Sequence, residues 1–157
     1  GRMAGGFFLN NQMTDFSMTP TASDGAPAAN AVAAGKRPRS SMSPVIVLDR
    51  EGRLVGAMGS PGGSSILAYN AKALIATLGW GLPVQEAFDL PNLVAKGEGF
   101  GADAEGFSQE MRAGMAARGV VLRSNTSENS GLHGALWRNG RWDGGADSRR
   151  EGVARTR

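Results

Sequence analysis

The sequence contains no cysteine. Disulfides, thiolate nucleophiles and cysteine-ligated zinc are therefore excluded, and the redox compartment is left open. It contains one histidine, His133. A multi-histidine metal site is impossible within the chain, and a Ser-His-Asp triad would have to use that residue as its base. Its setting, Gly131-Leu132-His133-Gly134-Ala135-Leu136-Trp137, reads as a strand carrying a structural histidine. No apolar run is long enough to span a bilayer. No cationic-then-apolar leader is visible, and the chain opens Gly1-Arg2-Met3 without an initiator Met. A processed precursor or a fragment is expected from that opening.

An excess of one charge is also missing from the body of the chain. The net charge is +3, but residues 149–157 hold four arginines and only Glu151, while the other 148 residues hold 13 basic and 13 acidic side chains. The basic character is set by a short terminal segment. No basic stripe with interleaved aromatics exists, which argues against a nucleic-acid partner. The expected organisation is a body over residues 1–148 and a basic tail over 149–157.

What is present is globular material. The 157 residues are 41% hydrophobic and 20% charged, enough for one domain with a real core. Phe7-Phe8-Leu9 reads as a buried strand ending in Asn10-Asn11-Gln12-Met13-Thr14-Asp15-Phe16-Ser17, whose polar groups could enter a pocket or bond their own backbone in a turn. Residues 18–35 are rich in Ala, Pro, Ser, Thr and Gly, lack any aromatic, and read as a loop. Lys36-Arg37-Pro38-Arg39-Ser40-Ser41-Met42-Ser43-Pro44 is either an anion-recognition loop or a solvated basic turn.

Val45–Leu48 and Leu54–Met58 form a predicted hairpin. A helix over Ile66–Leu78 follows, with Ile66, Leu67, Ala71, Leu74 and Leu78 as its apolar face and Ser64 or Ser65 as its cap. A short helix starts at Pro83 and stops before Pro91. Leu93–Lys96 is a strand, and the glycine-rich 97–101 follows it. Ser108 caps a third helix that ends at Gly119. Val120–Leu122 is a strand, and Asn139-Gly140 closes a final hairpin, Leu132–Arg138 with Arg141–Gly144. Strands, a glycine turn, helices and more strands make an α+β domain with sheet covered by helix.

Gly59-Ser60-Pro61-Gly62-Gly63-Ser64-Ser65 joins the first hairpin to the first helix. Adjacent glycines allow backbone angles closed to other residues and let a ligand approach the main chain. At a helix N-terminus their N–H groups suit a phosphate, a carboxylate or the oxyanion of an acyl-transfer intermediate. A tight turn without any ligand has the same composition.

Three blocks, Asn10-Asn11-Gln12-Met13-x-Asp15-Phe16-Ser17, Lys36-Arg37-Pro38-x-Ser40-Ser41-Met42-Ser43-Pro44 and Gly59-Ser60-Pro61-Gly62-Gly63-Ser64, stand in this order. Together they resemble the small subunit of the γ-glutamyltransferases (γ-glutamyltranspeptidases). The resemblance implies part of an N-terminal-nucleophile hydrolase αββα sandwich. It implies a precursor that cuts itself into large and small subunits, and a newly exposed N-terminal Thr that attacks γ-glutamyl amides such as glutathione. Water or an amino-acid or peptide acceptor then resolves the acyl-enzyme. Carried onto this sequence, Gly62 and Gly63 supply oxyanion-hole N–H groups, Gln12 and Asp15 hold the substrate α-ammonium, and Ser40 and Ser41 donate to its α-carboxylate. The large subunit of the same precursor is the implied partner, no cofactor or metal is implied, and the implied location is the periplasm or the exterior. The catalytic Thr and the Thr-x-His stretch after it are expected upstream of residue 1, and the loop over 18–35 lacks the lid aromatic of many members. Two other readings stay open: a superfamily acylase of glutaryl or cephalosporin type, and a non-catalytic module whose glycine turn holds an anion.

Overall fold

The structure, a computed structural model, describes residues 2–97, 99–124 and 129–155. The chain divides into two compact units, Gly1–Ser40 and Ser41–Arg157.

In the first unit, β1 (Met3–Ala4) pairs antiparallel with β2 (Phe7–Phe8) around Gly5 and Gly6, both at positive φ. A 3₁₀ turn over Gln12–Asp15 follows, with the Thr14 hydroxyl donating to the Asn11 carbonyl at 2.7 Å. The expected buried strand over Phe7–Leu9 is corrected here. It is a two-residue strand whose Phe7, Phe8 and Leu9 are all exposed. A two-stranded ribbon this short has too few neighbours to cover large side chains. Residues 18–35 contain no helix, and one isolated bridge, Thr21 to Pro27, pinches them.

The second unit is built on a four-stranded antiparallel sheet in the order β3 (Val45–Leu48), β4 (Leu54–Gly59), β8 (His133–Arg138), β9 (Arg141–Ala146). Asn139 and Gly140 both adopt positive φ, as a two-residue hairpin turn demands. Strand alternation divides the sheet into two faces. Met58 and Leu136 belong to the core cluster with Tyr69, Ala73, Val84 and Phe88 of the helices, and the half-buried Val45 and Val47 pack against it. Gly145 lies on the same side, where a Cβ would come within 2.9 Å of the Gln85 nitrogen, so glycine there lets α2 (Val84–Asp89) lie close on the sheet. The opposite face carries Ile46, Ala57, Trp137 and Trp142, all exposed. A sheet apolar on both sides with helices on one is the arrangement of a middle layer.

Helix α1 (Ile66–Leu74) continues as a π turn over Ile75–Gly79, with Trp80 N–H donating to Ile75 O at 2.9 Å. The helix stands where the sequence puts it, but its buried face is different. Ile66, Tyr69, Asn70, Ala73, Ala76 and Thr77 are buried, while Leu67 and Leu78 are exposed. Tertiary partners choose this face: Asn70 Nδ2 donates to Ser43 O at 2.6 Å and to Ser43 Oγ at 3.1 Å. Neither serine caps through its side chain. Ser65 is the N-cap residue without a side-chain bond, because a 3₁₀ turn over Gly63–Ser65 already leads into the helix.

A second sheet has the order β5 (Leu93–Lys96), β6 (Gly99–Ala102), β7 (Leu122–Ser124). The glycine-rich stretch is thus a strand for Gly99–Ala102, antiparallel to β5, and Glu98 lies outside the described residues. A ladder needs only backbone groups, so glycine composition does not prevent it. Helix α3 (Gln109–Ala116) makes the crossover to the parallel strand β7. Ser108 caps it, accepting from Met111 N–H at 3.1 Å. The third strand begins at Leu122 rather than at Val120.

The segment after Ala146 is fastened to this unit. The Asp147 side chain has no solvent exposure. It accepts from the Ser130 hydroxyl, from Leu132 N–H at 3.3 Å and from Arg149 Nη1 at 3.0 Å. Asn92 Nδ2 donates to Ser130 Oγ at 2.8 Å, and Arg149 Nε donates to Asp103 Oδ2 at 3.0 Å. Arg149 also donates to Phe88 O and Leu90 O, two carbonyls at the end of α2 that Lys72 Nζ shares. Cations suit a helix C-terminus. Burial lowers the Lys72 pKa to about 8. Thr156 and Arg157, the last residues of the expected tail, lie outside the described residues.

Candidate active site

The glycine turn takes the conformation its composition suggests. Gly62 has φ of 132° and Gly63 has φ of 50°. The turn closes through Ser65 N–H to Gly62 O at 2.9 Å. The Ile66 N–H is likewise spent on Gly63 O. The N–H groups of Gly62 and Gly63 have no acceptor among the described residues. Two adjacent donors therefore remain at the head of α1, where the helix favours negative charge. The turn is anchored from outside: Ser60 Oγ accepts from Gly131 N–H at 3.0 Å. Pro61 packs on Gly131, where a Cβ would approach its ring to 2.9 Å. Gly62 lies against Tyr69, which is 1% exposed.

Ser41 belongs to this same unit and is half-buried. Two residues further on, Ser43 is held by Asn70, so the segment leading into β3 is pinned to α1.

Gln12, Asp15 and Ser40 belong to the first unit. Gln12 and Asp15 share one 3₁₀ turn and are both half-buried. Gln12 N–H donates to Asn10 Oδ1 at 3.0 Å, which fixes the start of the turn. Phe16, next to Asp15, is buried. Ser40 is exposed, in coil, next to Arg39, whose N–H donates to Asn30 Oδ1 at 3.1 Å. Asn30, Ser60, Tyr69 and Asn70 thus support the candidate residues, and the sequence alone gives none of them a role. An amide in an alanine-rich loop looks like any turn residue, and the bonds of Ser60 and Asn70 span 71 and 27 positions.

His133 is the first residue of β8 and pairs with Gly59, where β4 runs into the turn, with Nδ1 2.9 Å from Gly131 O. No group of three or more His, Asp or Glu able to hold a metal exists among the described residues. A cavity of about 910 Å³ opens at the tip of the β8–β9 hairpin, lined by Trp137, Arg141, Trp142, Asp143 and Arg155. It contains none of the candidate residues and is a notch on the uncovered side of the sheet.

The family model for gamma-glutamyltranspeptidase matches residues 2–156. The chain belongs to that family. It is 43% identical over 94 residues to the glutathione hydrolase proenzyme of Escherichia coli K12, covering 55% of this chain and 15% of that protein. It is 26% identical over 151 residues to the glutathione hydrolase proenzyme of Bacillus subtilis 168, covering 95% of this chain and 24% of that protein. The chain therefore spans less than a quarter of the length of these relatives. The gamma-glutamyltranspeptidase of Pseudomonas nitroreducens, solved in complex with L-DON, superposes with a TM-score of 0.80 at 27% identity, over 97% of this chain and 82% of that one. The fold expectation holds for this γ-glutamyltranspeptidase family chain: it is the α+β portion of an N-terminal-nucleophile sandwich. No helix among its described residues is long and apolar enough to cross a membrane.

Proposed function

We propose that the complete protein carrying this chain cleaves γ-glutamyl amides such as glutathione, passing the γ-glutamyl group through an enzyme ester to water or to an amino-acid or peptide acceptor. The nucleophile is an N-terminal Thr outside these residues. The observation that carries the reading is the pair of N–H groups on Gly62 and Gly63 at the head of α1, which have no acceptor among the described residues. Such donors stabilise the charge that develops on the carbonyl oxygen during attack. Gln12 and Asp15 hold the substrate ammonium, a cation matched by a carboxylate and an oriented amide oxygen. Ser40 and Ser41 donate to its carboxylate. Residues 1–148 make up the C-terminal portion of a small subunit and 149–157 a basic tail, whose first residue, Arg149, donates to Asp103. The partner is a large subunit of the same precursor, which the proenzyme names of the relatives support. Its location is the periplasm or outside the cell.

The complete precursor is expected to release p-nitroaniline from L-γ-glutamyl-p-nitroanilide, and residues 1–157 alone to release none. A matured precursor that leaves this donor intact while cleaving a glutaryl or cephalosporin side chain would overturn the glutamyl assignment.

Asp15→Asn in the complete protein is expected to weaken donor binding by about 1.5–3 kcal/mol, the value of a hydrogen bond to a charged group. Thr14→Ala, which loses only the local bond to Asn11, should cost no more than about 0.5–1.5 kcal/mol of stability and leave KM unchanged. Parallel measurement of KM for the two variants checks this, and equal values would contradict the role given to Asp15.

A further inference from the structure

Asn30 bonds in three directions. Its carbonyl accepts from Ser17 N–H at 2.9 Å, its Nδ2 donates to Asp15 O, and its Oδ1 accepts from Arg39 N–H at 3.1 Å. The amide orientation follows from the partners, since a carbonyl requires the NH₂ and an N–H requires the oxygen. The two side-chain bonds cross 15 and 9 positions and join the Gln12–Asp15 turn to the segment that delivers Ser40. Lys36 holds Asn30 from both sides, with Nζ donating to Ala29 O at 2.6 Å and Ala31 O at 3.0 Å. The base of the loop is therefore a clasp and not a slack connection.

We infer that Asn30 is a positioning residue that fixes the spacing between the ammonium-binding turn and the carboxylate-binding segment, and so selects donors that carry both groups. The inference rests on the proposed γ-glutamyl activity. Asp15 is tied to Asn30 through its carbonyl and not through its carboxylate, and Ser40 follows directly on the tied Arg39 N–H. Loss of the clasp removes no ligand group. It lets the two arms separate, and only a molecule that bridges them is affected.

The test uses the complete, matured protein with Asn30→Ala and Asn30→Asp. The Asp variant keeps an acceptor for Arg39 N–H but sets an oxygen against Asp15 O. KM for L-γ-glutamyl-p-nitroanilide is measured, with inhibition constants for L-glutamate, glutarate, which lacks the ammonium, and 4-aminobutyrate, which lacks the carboxylate. In both variants KM and the L-glutamate constant should rise about tenfold, with kcat and the constants for the two truncated ligands within about twofold of wild type. An equal rise for all three ligands marks a merely structural residue and overturns the inference, as does no rise at all. If Asn30→Ala fails to mature, the Asp variant decides by the same criteria, and failure of both to mature also overturns it. A matured wild type that does not cleave the γ-glutamyl donor overturns the activity reading and the inference with it.

Discussion

Replacing Asp147 by Ala should remove about 3–5 kcal/mol of stability, the usual cost of leaving one partner of a buried pair uncompensated. The substitution leaves the Ser130 hydroxyl, the Leu132 N–H and the Arg149 guanidinium without their common acceptor. Against a typical domain stability of about 5–15 kcal/mol, this is a large fraction. Denaturant titration of the complete protein checks it, and a loss within about 0.5 kcal/mol, the level of an ordinary surface change, would contradict a buried network around Asp147. The same carboxylate gives an acid signature. Burial pushes the Asp147 pKa up, but the Ser130 hydroxyl and the Arg149 backbone and guanidinium outweigh it and hold the group below its ordinary value. The unfolded chain therefore binds the proton first as pH falls, and stability declines with it. The contribution is complete above the ordinary aspartate value of about 3.9 and is lost below it, toward the depressed folded value. Asp147→Asn should be less stable at neutral pH and show a flatter decline below about pH 4.

Gly62→Ala should lower kcat by about 10²-fold or more, the effect of losing an oxyanion donor, with little change in KM. Gly62 has φ of 132°, and a Cβ there would stand 2.5 Å from Tyr69 Cε2. Tyr69 is 1% exposed and packed in the core cluster, so the ring has no room to withdraw. The turn must move instead, and with it the direction of both glycine N–H groups. Gly63→Ala should also lower kcat, because φ of 50° there puts its Cβ in the left-handed region, at a cost of roughly 1–2 kcal/mol. Circular dichroism and melting temperature of each variant separate a displaced turn from a misfolded protein. A correctly folded Gly62→Ala enzyme with unchanged kcat would remove the oxyanion role from this turn.

The parts of the fold that could be read from sequence are those punctuated by local chemistry. Asn139-Gly140 defines its hairpin because few other residues accept positive φ at both turn positions. Ser108 and Gly119 bracket α3 because capping and termination are decided within a turn of the helix. The Gly62-Gly63 turn is legible for the same reason. The parts that escaped depend on contacts distant in sequence. Apolar spacing assigned Leu67 and Leu78 to the buried side of α1, but the structure buries Asn70 and Thr77, whose bonds to Ser43 and to the Ala73 carbonyl offset the cost of removing them from water. The Asp147 cluster gathers Asn92, Asp103 and Ser130 around Asp147 and Arg149, through bonds that span 38, 17 and 46 positions. Of the candidate site, Gln12, Asp15, Ser40 and Ser41 stand out only through the three blocks that resemble the family, because amides, carboxylates and hydroxyls are ordinary loop residues, whereas Asn30 lies hidden among alanines.

The uncovered face of the four-stranded sheet has an optical consequence. Trp137 and Trp142 face each other edge to face with ring centroids 5.5 Å apart. They are 46% and 44% exposed, and Trp80, at the end of the π turn, is 66% exposed. All three tryptophans of the sequence thus look outward. Indole emission shifts to shorter wavelength when water is withdrawn, so the fluorescence of this chain reports what lies against its surface more than whether its core is formed. The paired indoles, by contrast, couple their transitions only while β8 and β9 remain in register. Their circular dichroism reports the hairpin, and their emission reports its cover.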